Sequence, residues 1–377
     1  MIVKAPYGLS PTFELSIDNA AVDYHSLNRF EIDLSENQHD MLSLELGGIP
    51  TRAITDYQNK GVLLTLNTGA NYSCSFSGYV TDVHPVSRTY QGLVNNSPFQ
   101  TATIVCLGAS YAMRGKKNRV WDSYTLAAVA EDLCSTYGFS LDVPKDPLVY
   151  SPIAQVQESD WQFLVRYAKM LGYVVTAHGT HIHIFNPYCA SDRAVSFNRL
   201  TTIRATQGDI APAPGQVSEF RGTFTDDNFD NDTVITVRQN GTEFDVSSQG
   251  KHENALVVHN RLNHMVDNYD AAVRMIETSR KQSYDYHAHA KVSGLAGCYP
   301  GGVVDLDNYN ADFDGLWYVK GVKHTVSSGA FVTDLELCRN KDSELVDFNN
   351  VQKFAVPPAP RFVNGRWEAT KKVINEY

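Results

Sequence analysis

The chain has 377 residues, of which 43% are hydrophobic and 20% charged, enough for two or three separately cored domains and a composition that argues against wholesale disorder. Its formal net charge of −10 argues against a protein that wraps duplex DNA, where Lys and Arg must neutralise phosphates. The same charge suits a conduit past which DNA slides without sticking.

Residues 1–110 read as short strands. Phe13-Glu14-Leu15-Ser16-Ile17, Phe30-Glu31-Ile32-Asp33-Leu34 and Leu42-Ser43-Leu44-Glu45-Leu46 alternate apolar with polar, the pattern of antiparallel sheet with one wet face. Gly61-Val62-Leu63-Leu64-Thr65-Leu66 and Thr101–Leu107 continue it. Many strands without intervening helices predict a sandwich or barrel.

The pattern changes near Trp121. Ser123 is placed to cap a helix over Tyr124–Cys134, with Gly138 as its left-handed stop. Ser159-Asp160-Trp161-Gln162 fits a capping box, followed by Leu164, Val165, Ala168 and Leu171 at helical spacing and Gly172 as terminator. Trp161 shares the face of Leu164 and Ala168, so it is read as core rather than as a stacking platform. Tyr173–Ala177 and His181–Phe185 flank Gly179 as a hairpin. Residues 112–188 thus predict a small α+β insert. Strands return over 190–250, a long helix spans roughly Tyr269–Tyr284, and further strands cover Ala288–Ser293, Gly302–Leu306, Trp317–Val326 and Phe331–Cys338. The last stretch, with Val356-Pro357-Pro358-Ala359-Pro360, reads as extended.

An internal repeat organises these strands. Gly61–Leu66, Tyr79-Val80-Thr81-Asp82-Val83-His84 and Thr101–Leu107 recur as Gly302–Leu306, Tyr318-Val319-Lys320-Gly321-Val322-Lys323-His324 and Val332–Cys338. The expected fold is therefore mainly β with an α+β insert: two similar β-barrel tube domains, a small α+β domain and a long helix in the second half. The expected boundaries are 1–111 for the first barrel, 112–188 for the insert, 189–340 for the second barrel with its helix, and 341–377 for an extended docking tail. A closed trimer of such chains presents six similar units, letting a threefold object meet a sixfold tube.

Gln157–Tyr173, with Glu158-Ser159-Asp160-Trp161-Gln162-Phe163-Leu164-Val165-Arg166-Tyr167-Ala168 at its centre, resembles a segment shared by phage late control protein D, contractile-tail baseplate hubs and the N-terminal part of VgrG proteins. A second block resembles the same family: a helix around Ala272 and Ser279, then Ala288–Ser293, Tyr299-Pro300-Gly301-Gly302-Val303-Val304, Gly315–Val319 and His324. The resemblance implies a non-enzymatic homotrimeric hub around a central channel, in the distal tail or baseplate of a virion assembled in the host cytoplasm. Its implied neighbours are a tail tube or tube-initiator protein, a separate central spike and a tape measure protein, with DNA only in transit and no membrane binding. A receptor- or carbohydrate-binding tail protein is the alternative, and the insert at Ser159–Gly172 argues against it.

Single cysteines at Cys74, Cys106, Cys134, Cys189, Cys298 and Cys338 form no paired zinc or redox motif. Met1-Ile2-Val3-Lys4-Ala5-Pro6 does not read as a signal peptide, and no run of 18 apolar residues occurs. His178, His181 and His183, and the alternating His287 and His289, are read as polar strand faces or interface positions rather than metal ligands. Asp226–Asp232 opens like a calcium loop, but Asn231 and Val237 stand where a Gly and a Glu are needed, so a solvated turn is expected. No catalytic residue, metal or cofactor is assigned. The interface candidates are Phe354, Pro357, Pro358, Phe362 and Trp367 in the tail, and the basic cluster Arg114, Lys116, Lys117 and Arg119, expected to face a protein neighbour rather than a channel.

Overall fold

The computed structural model describes residues 11–369 and 374–376, apart from 23–26, 48–54, 69–72, 89–98, 123, 147–148, 150–152, 188–200, 205–214, 225–228, 240–241, 248–255, 267–268, 282–283, 285, 328–329 and 340–359. The first strands are β1 (Thr12–Ile17), β2 (Ala20–Ala21), β3 (Leu27–Ser35) and β4 (Met41–Gly47), followed by the meander β5 (Gly61–Asn67), β6 (Ser73–Arg88) and β7 (Phe99–Gly108). Alternation buries Phe30, Ile32 and Leu34 of β3 with Leu42, Leu44 and Leu46 of β4 on one face. Glu31, Asp33 and Ser35 fall on the other.

The insert comprises β8 (Lys116–Trp121), α1 (Leu126–Tyr137), β9 (Ser140–Val143), β10 (Ile153–Ser159), α2 (Asp160–Met170), β11 (Val174–His178) and β12 (His181–Phe185). Thr125 caps α1, its hydroxyl accepting the Ala128 amide at 3.2 Å; the anticipated cap Ser123 lies outside the described residues. Gly138 closes α1 at φ 72°. The capping box of α2 is complete: Ser159 Oγ accepts from the Gln162 amide, and Gln162 Oε1 accepts from the Ser159 amide, both at 3.1 Å. Trp161, Phe163, Leu164, Tyr167 and Ala168 are its buried face. The β11–β12 hairpin has Val174 opposite Phe185 and His178 opposite His181.

The second half contains β13 (Thr201–Arg204), β14 (Val217–Phe224), β15 (Phe229–Gln239), β16 (Thr242–Ser247), β17 (Leu256–Val266), α3 (Tyr269–Lys281), β18 (Tyr286–Ser293), β19 (Val303–Asp307), β20 (Gly315–Ser327) and β21 (Ala330–Arg339). Three short strands follow: β22 (Arg361–Val363), β23 (Arg366–Glu368) and β24 (Ile374–Glu376).

The repeat anticipated from sequence is present in the hydrogen-bond ladders. In the first half the strand order is β3-β4-β7-β6-β5-β1, and in the second β14-β18-β21-β20-β19-β13. Each meander carries a bulge at the same place. Tyr79 and Val80 pair with Leu107 and Cys106 before the register skips Thr81; Tyr318 and Val319 pair with Cys338 and Leu337 before it skips Lys320. The last strands differ, since β1 is antiparallel to β5 whereas β13 is parallel to β19.

The fold is mainly β, with few helices and one large, chiefly antiparallel sheet, but the two units do not close into separate barrels. β20 is 13 residues long; its first part pairs with β19 and its second part, from Gly321 to Ser327, pairs with β3. The strand that completes the second unit thereby continues into the first. A 13-stranded sheet results, and among the described residues no ladder joins its ends. Separate cores lie under the two units, the second centred on Trp317, Val304 and Leu337. A third core fills the insert and extends to Ile235 and Val237 of β15 and to Met275 and Ile276 of α3.

Candidate functional site

The wet face of the large sheet carries an ordered pattern of charge. Across five strands the cross-strand row runs Asp33, Lys323, Asp334, Lys291, Glu219, alternating in sign at every step. The adjacent row runs Ser35, Gly321, Glu336, His289, Arg221. Opposite charges directly across a sheet stabilise the pairing, and no step of the first row sets like charges together. These rows line a shallow groove of about 430 Å³ holding four carboxylates against three Lys or Arg. Lys323 bonds Glu31 at 3.0 Å; although burial alone would raise the Glu31 pKa, Lys323 and Arg29 hold it below its ordinary value. Burial dominates at Asp33, whose carboxyl is pushed upward despite Lys323.

The basic cluster is built into the insert by one buried carboxylate. Asp160, at the first position of α2, is fully buried and accepts from Lys117 Nζ at 2.5 Å, Tyr137 Oη at 2.6 Å and Gln155 Nε2 at 2.9 Å, with Arg119 at 3.9 Å. Burial favours its neutral form, but the bonds from Lys117, Tyr137 and Gln155 win and hold its pKa below the ordinary carboxylate value. Arg119 also reaches Asp132 at 3.5 Å, and Arg114 lies 4.4 Å over the Tyr111 ring. Arg114 and Lys116 are the exposed members. The four cations therefore split into two ion-paired residues and two exposed ones, one of them stacked. Asp160→Asn should cost about 3 kcal/mol, because Lys117 and Arg119 then face a neutral amide. Urea denaturation at pH 7 checks this, and a wild-type midpoint contradicts it. As the folded pKa is depressed, this contribution is present above the unfolded value and fades as pH falls through the folded one.

In the tail, β22 and β23 form a hairpin with Phe362 opposite Trp367. It docks on the chain's own first unit. Trp367 is 3% exposed and donates its Nε1–H to the Gly78 carbonyl at 2.6 Å, while its amide donates to Tyr79 Oη at 3.1 Å. The Phe362 ring lies flat on Gly61, where a Cβ would come within 2.6 Å of it. The two rings that a tail cannot bury alone are thus covered by β5 and β6. β24 adds to the insert as a parallel neighbour of β9. Phe354, Pro357 and Pro358 lie outside the described residues.

The histidines expected on polar strand faces fall in different surroundings. His178 meets Tyr299 edge-on at 4.9 Å, His183 stacks on Phe185 at 4.6 Å, and His289 lines the wet groove. His181 accounts for the one constellation that sequence reading missed. Ser140 and Asp142 alternate on β9 and face His181 on the parallel strand β12; His181 Nδ1 is 2.9 Å from Ser140 Oγ and Nε2 is 2.9 Å from Asp142 Oδ2. The spacing Ser-Leu-Asp on a strand was the available signal, but its partner is 41 residues away. All three members are at most 5% exposed, so these side-chain contacts cross-link two buried strands. Among the described residues no three His, Cys, Asp or Glu gather as metal ligands, and no helix is long and apolar enough to cross a membrane. Asp226, Asp227 and Asn228 of the acidic loop lie outside the described residues.

A family model described as the Alg8 N-terminal domain matches residues 94–328, more than half of the chain. The chain belongs to the Alg8 N-terminal domain family. No curated protein matches the sequence. Solved structures extend the comparison beyond the family. A tail protein from Neisseria meningitidis is 12% identical, with 88% of this chain and 98% of that one covered at a TM-score of 0.65. The 43 kDa tail protein of prophage MuSo2 from Shewanella oneidensis is 14% identical, with 87% and 98% covered at 0.63. An E. coli protein described as a type VI secretion component, structurally similar to T4 tail proteins gp27 and gp5, is 10% identical, with 92% and 79% covered at 0.57. At these identities the likeness is one of fold. The matching family model is not that of late control protein D, so what carries over from that resemblance is the architecture of phage tail and VgrG-like proteins.

Proposed function

We propose that this chain is a non-enzymatic structural hub subunit of a bacteriophage tail or baseplate. Three copies form a pseudo-sixfold ring that joins the tail tube to the central spike and leaves a channel for DNA. The observation that carries this reading is the doubled six-strand unit with its matching bulges, which turns a threefold assembly into six near-equivalent elements. The ends of the sheet, unpaired among the described residues, support it as well, since a free strand edge is a template for another chain.

In this arrangement the sign-alternating face lines the channel. Along the first row each acid has a neighbouring base, so a passing polyanion meets neither a strong phosphate-binding stripe nor a strongly repelling one. The boundaries 1–111, 112–188, 189–340 and 341–377 then describe first tube unit, insert, second tube unit and tail. The exposed residues of the tail, away from the docked Phe362 and Trp367, and Arg114 and Lys116 of the basic cluster are the surfaces offered to neighbours: a tube or tube-initiator protein above, a separate spike below and the tape measure protein. The assembly takes place in the host cytoplasm and the subunit ends in the distal part of the virion. Sedimentation equilibrium of the purified chain should give the mass of three chains. A two-chain species or a lone chain at every concentration overturns the proposal.

A further inference from the structure

The insert ends in a two-stranded ribbon, β10–β8, whose outer face is unusually apolar for an exposed surface. Val120 is 68% and Val156 66% exposed, the two highest values among the large exposed hydrophobics. They share that face with Ala154 and Asn118 and with the exposed Lys116. The two edges of the ribbon differ. Along β10 runs α2, and Arg166 from that helix donates to the Ala154 carbonyl at 2.9 Å while pairing with Glu158 at 2.5 Å. Along β8, among the described residues, the only paired strand is β10. One edge is plugged by a charged side chain, the usual protection of an exposed strand, and on the other no side chain does so among the described residues.

A second edge, unpaired among the described residues, carries the opposite charge. β16 is the outer strand of the sheet β16-β15-β17, and Thr242, Glu243, Phe244 and Asp245 are all exposed. Glu243, Asp245 and Ser247 lie on one face of β16, where Asp245 accepts from Thr236 Oγ1 at 2.8 Å and Glu243 pairs with Arg238. On the other face Phe244 approaches Tyr269, itself 48% exposed, at 6.4 Å, next to Asp270. The β8 sequence is Lys-Lys-Asn-Arg-Val-Trp and the β16 sequence Thr-Glu-Phe-Asp-Val-Ser. Both are six residues long; on β8 Lys116 shares the outward face with Val120, whereas Lys117 and Arg119 turn inward to Asp160 and Asp132, and on β16 Glu243 and Asp245 share one face.

We infer that the free edge of β8 in one copy receives β16 of a second copy, extending the ribbon by one strand and covering Val120. This rests on the ring reading above and gives it an interface. Main-chain bonds supply the attachment, and the outward Lys116 of β8 favours an acidic strand such as β16, with Asp245 exposed, over a basic one. Because donor and acceptor are different surfaces, the contact is head-to-tail, and each copy offers one of each, as a closed ring requires.

Two variants separate the halves of the contact. Lys116→Glu with Val120→Asp blocks the β8 side, and Glu243→Lys with Asp245→Lys blocks the β16 side; all four positions are exposed, and circular dichroism confirms folding. Each variant alone should lose the three-chain species in sedimentation velocity, with trimer association weakened at least tenfold. Mixed in equal amounts they should form two-chain complexes and stop there, since one retains a sound β16 and the other a sound β8. If the wild type is trimeric and both variants remain so, the interface is overturned while the hub reading stands. A wild-type chain that stays single overturns both.

Discussion

Trp161→Ala should lower the unfolding free energy by about 3–5 kcal/mol, the cost of truncating a buried large aromatic side chain. The indole is 4% exposed and belongs to the core of the insert. It also stacks on His39 at 4.9 Å between ring centres and 29° between planes, and His39 follows β3 of the first strand unit. His39 is held in turn by Ser110, its Nδ1 lying 2.9 Å from the hydroxyl. The substitution therefore empties a space at the joint between insert and sheet as well as within the insert. Thermal unfolding should shift down, and limited proteolysis should cut first within 112–188. A melt unchanged from wild type would contradict the assignment of Trp161 to the core.

Acidification from pH 6.5 towards pH 4 should destabilise the fold steeply. Burial lowers His39, His178 and His324 to about 4 and His183 to about 3, all from an ordinary value of 6.5. Below pH 6.5 the unfolded chain takes up protons at these four sites while the folded chain does not. Each site then loses about 1.4 kcal/mol of stability per pH unit until its folded pKa is reached. Three carboxyls act in the opposite sense. Burial raises Asp40 strongly and Asp33 and Glu36 to a lesser degree, so the folded state holds protons there that the unfolded state lacks. The histidines outnumber them and span more of the window, leaving a net uptake of about one to two protons on unfolding, or about 1.5–3 kcal/mol per pH unit. Against a total of about 5–15 kcal/mol this is a large fraction. Urea titrations at pH 7, 6 and 5 read it directly, and a midpoint that rises or stays level as pH falls would contradict it.

The parts of this structure that were legible in the sequence are those set by neighbours in the chain. Alternation along Phe30–Leu34 and Leu42–Leu46 gave the strands and their buried face, and Ser159 with Gln162 gave the start of α2. The Tyr-Val repeat was visible because each bulge is written locally, at Thr81 and at Lys320. What could not be read depends on register between distant segments. Nothing near Gly321 announces that the second part of β20 leaves its own unit for β3, almost 300 positions earlier, and this one pairing turns two expected barrels into one open sheet. The basic cluster was visible as charge, but its anchor was not, because Asp160 meets Lys117 only across the packed insert. Trp367 likewise read as a ring in need of a partner, and its partner is the backbone of Gly78.

The central claim is that the sign-alternating face of the sheet lines a threefold channel. A reconstruction of the assembled tail tip by electron cryo-microscopy tests it most directly, because it places that face relative to the axis. The account predicts three copies with six similar units around the axis, and Asp33, Lys323, Asp334, Lys291 and Glu219 facing the lumen. A lumen lined instead by Arg114, Lys116, Lys117 and Arg119, or a chain bound outside the tube with no channel through it, would contradict the account.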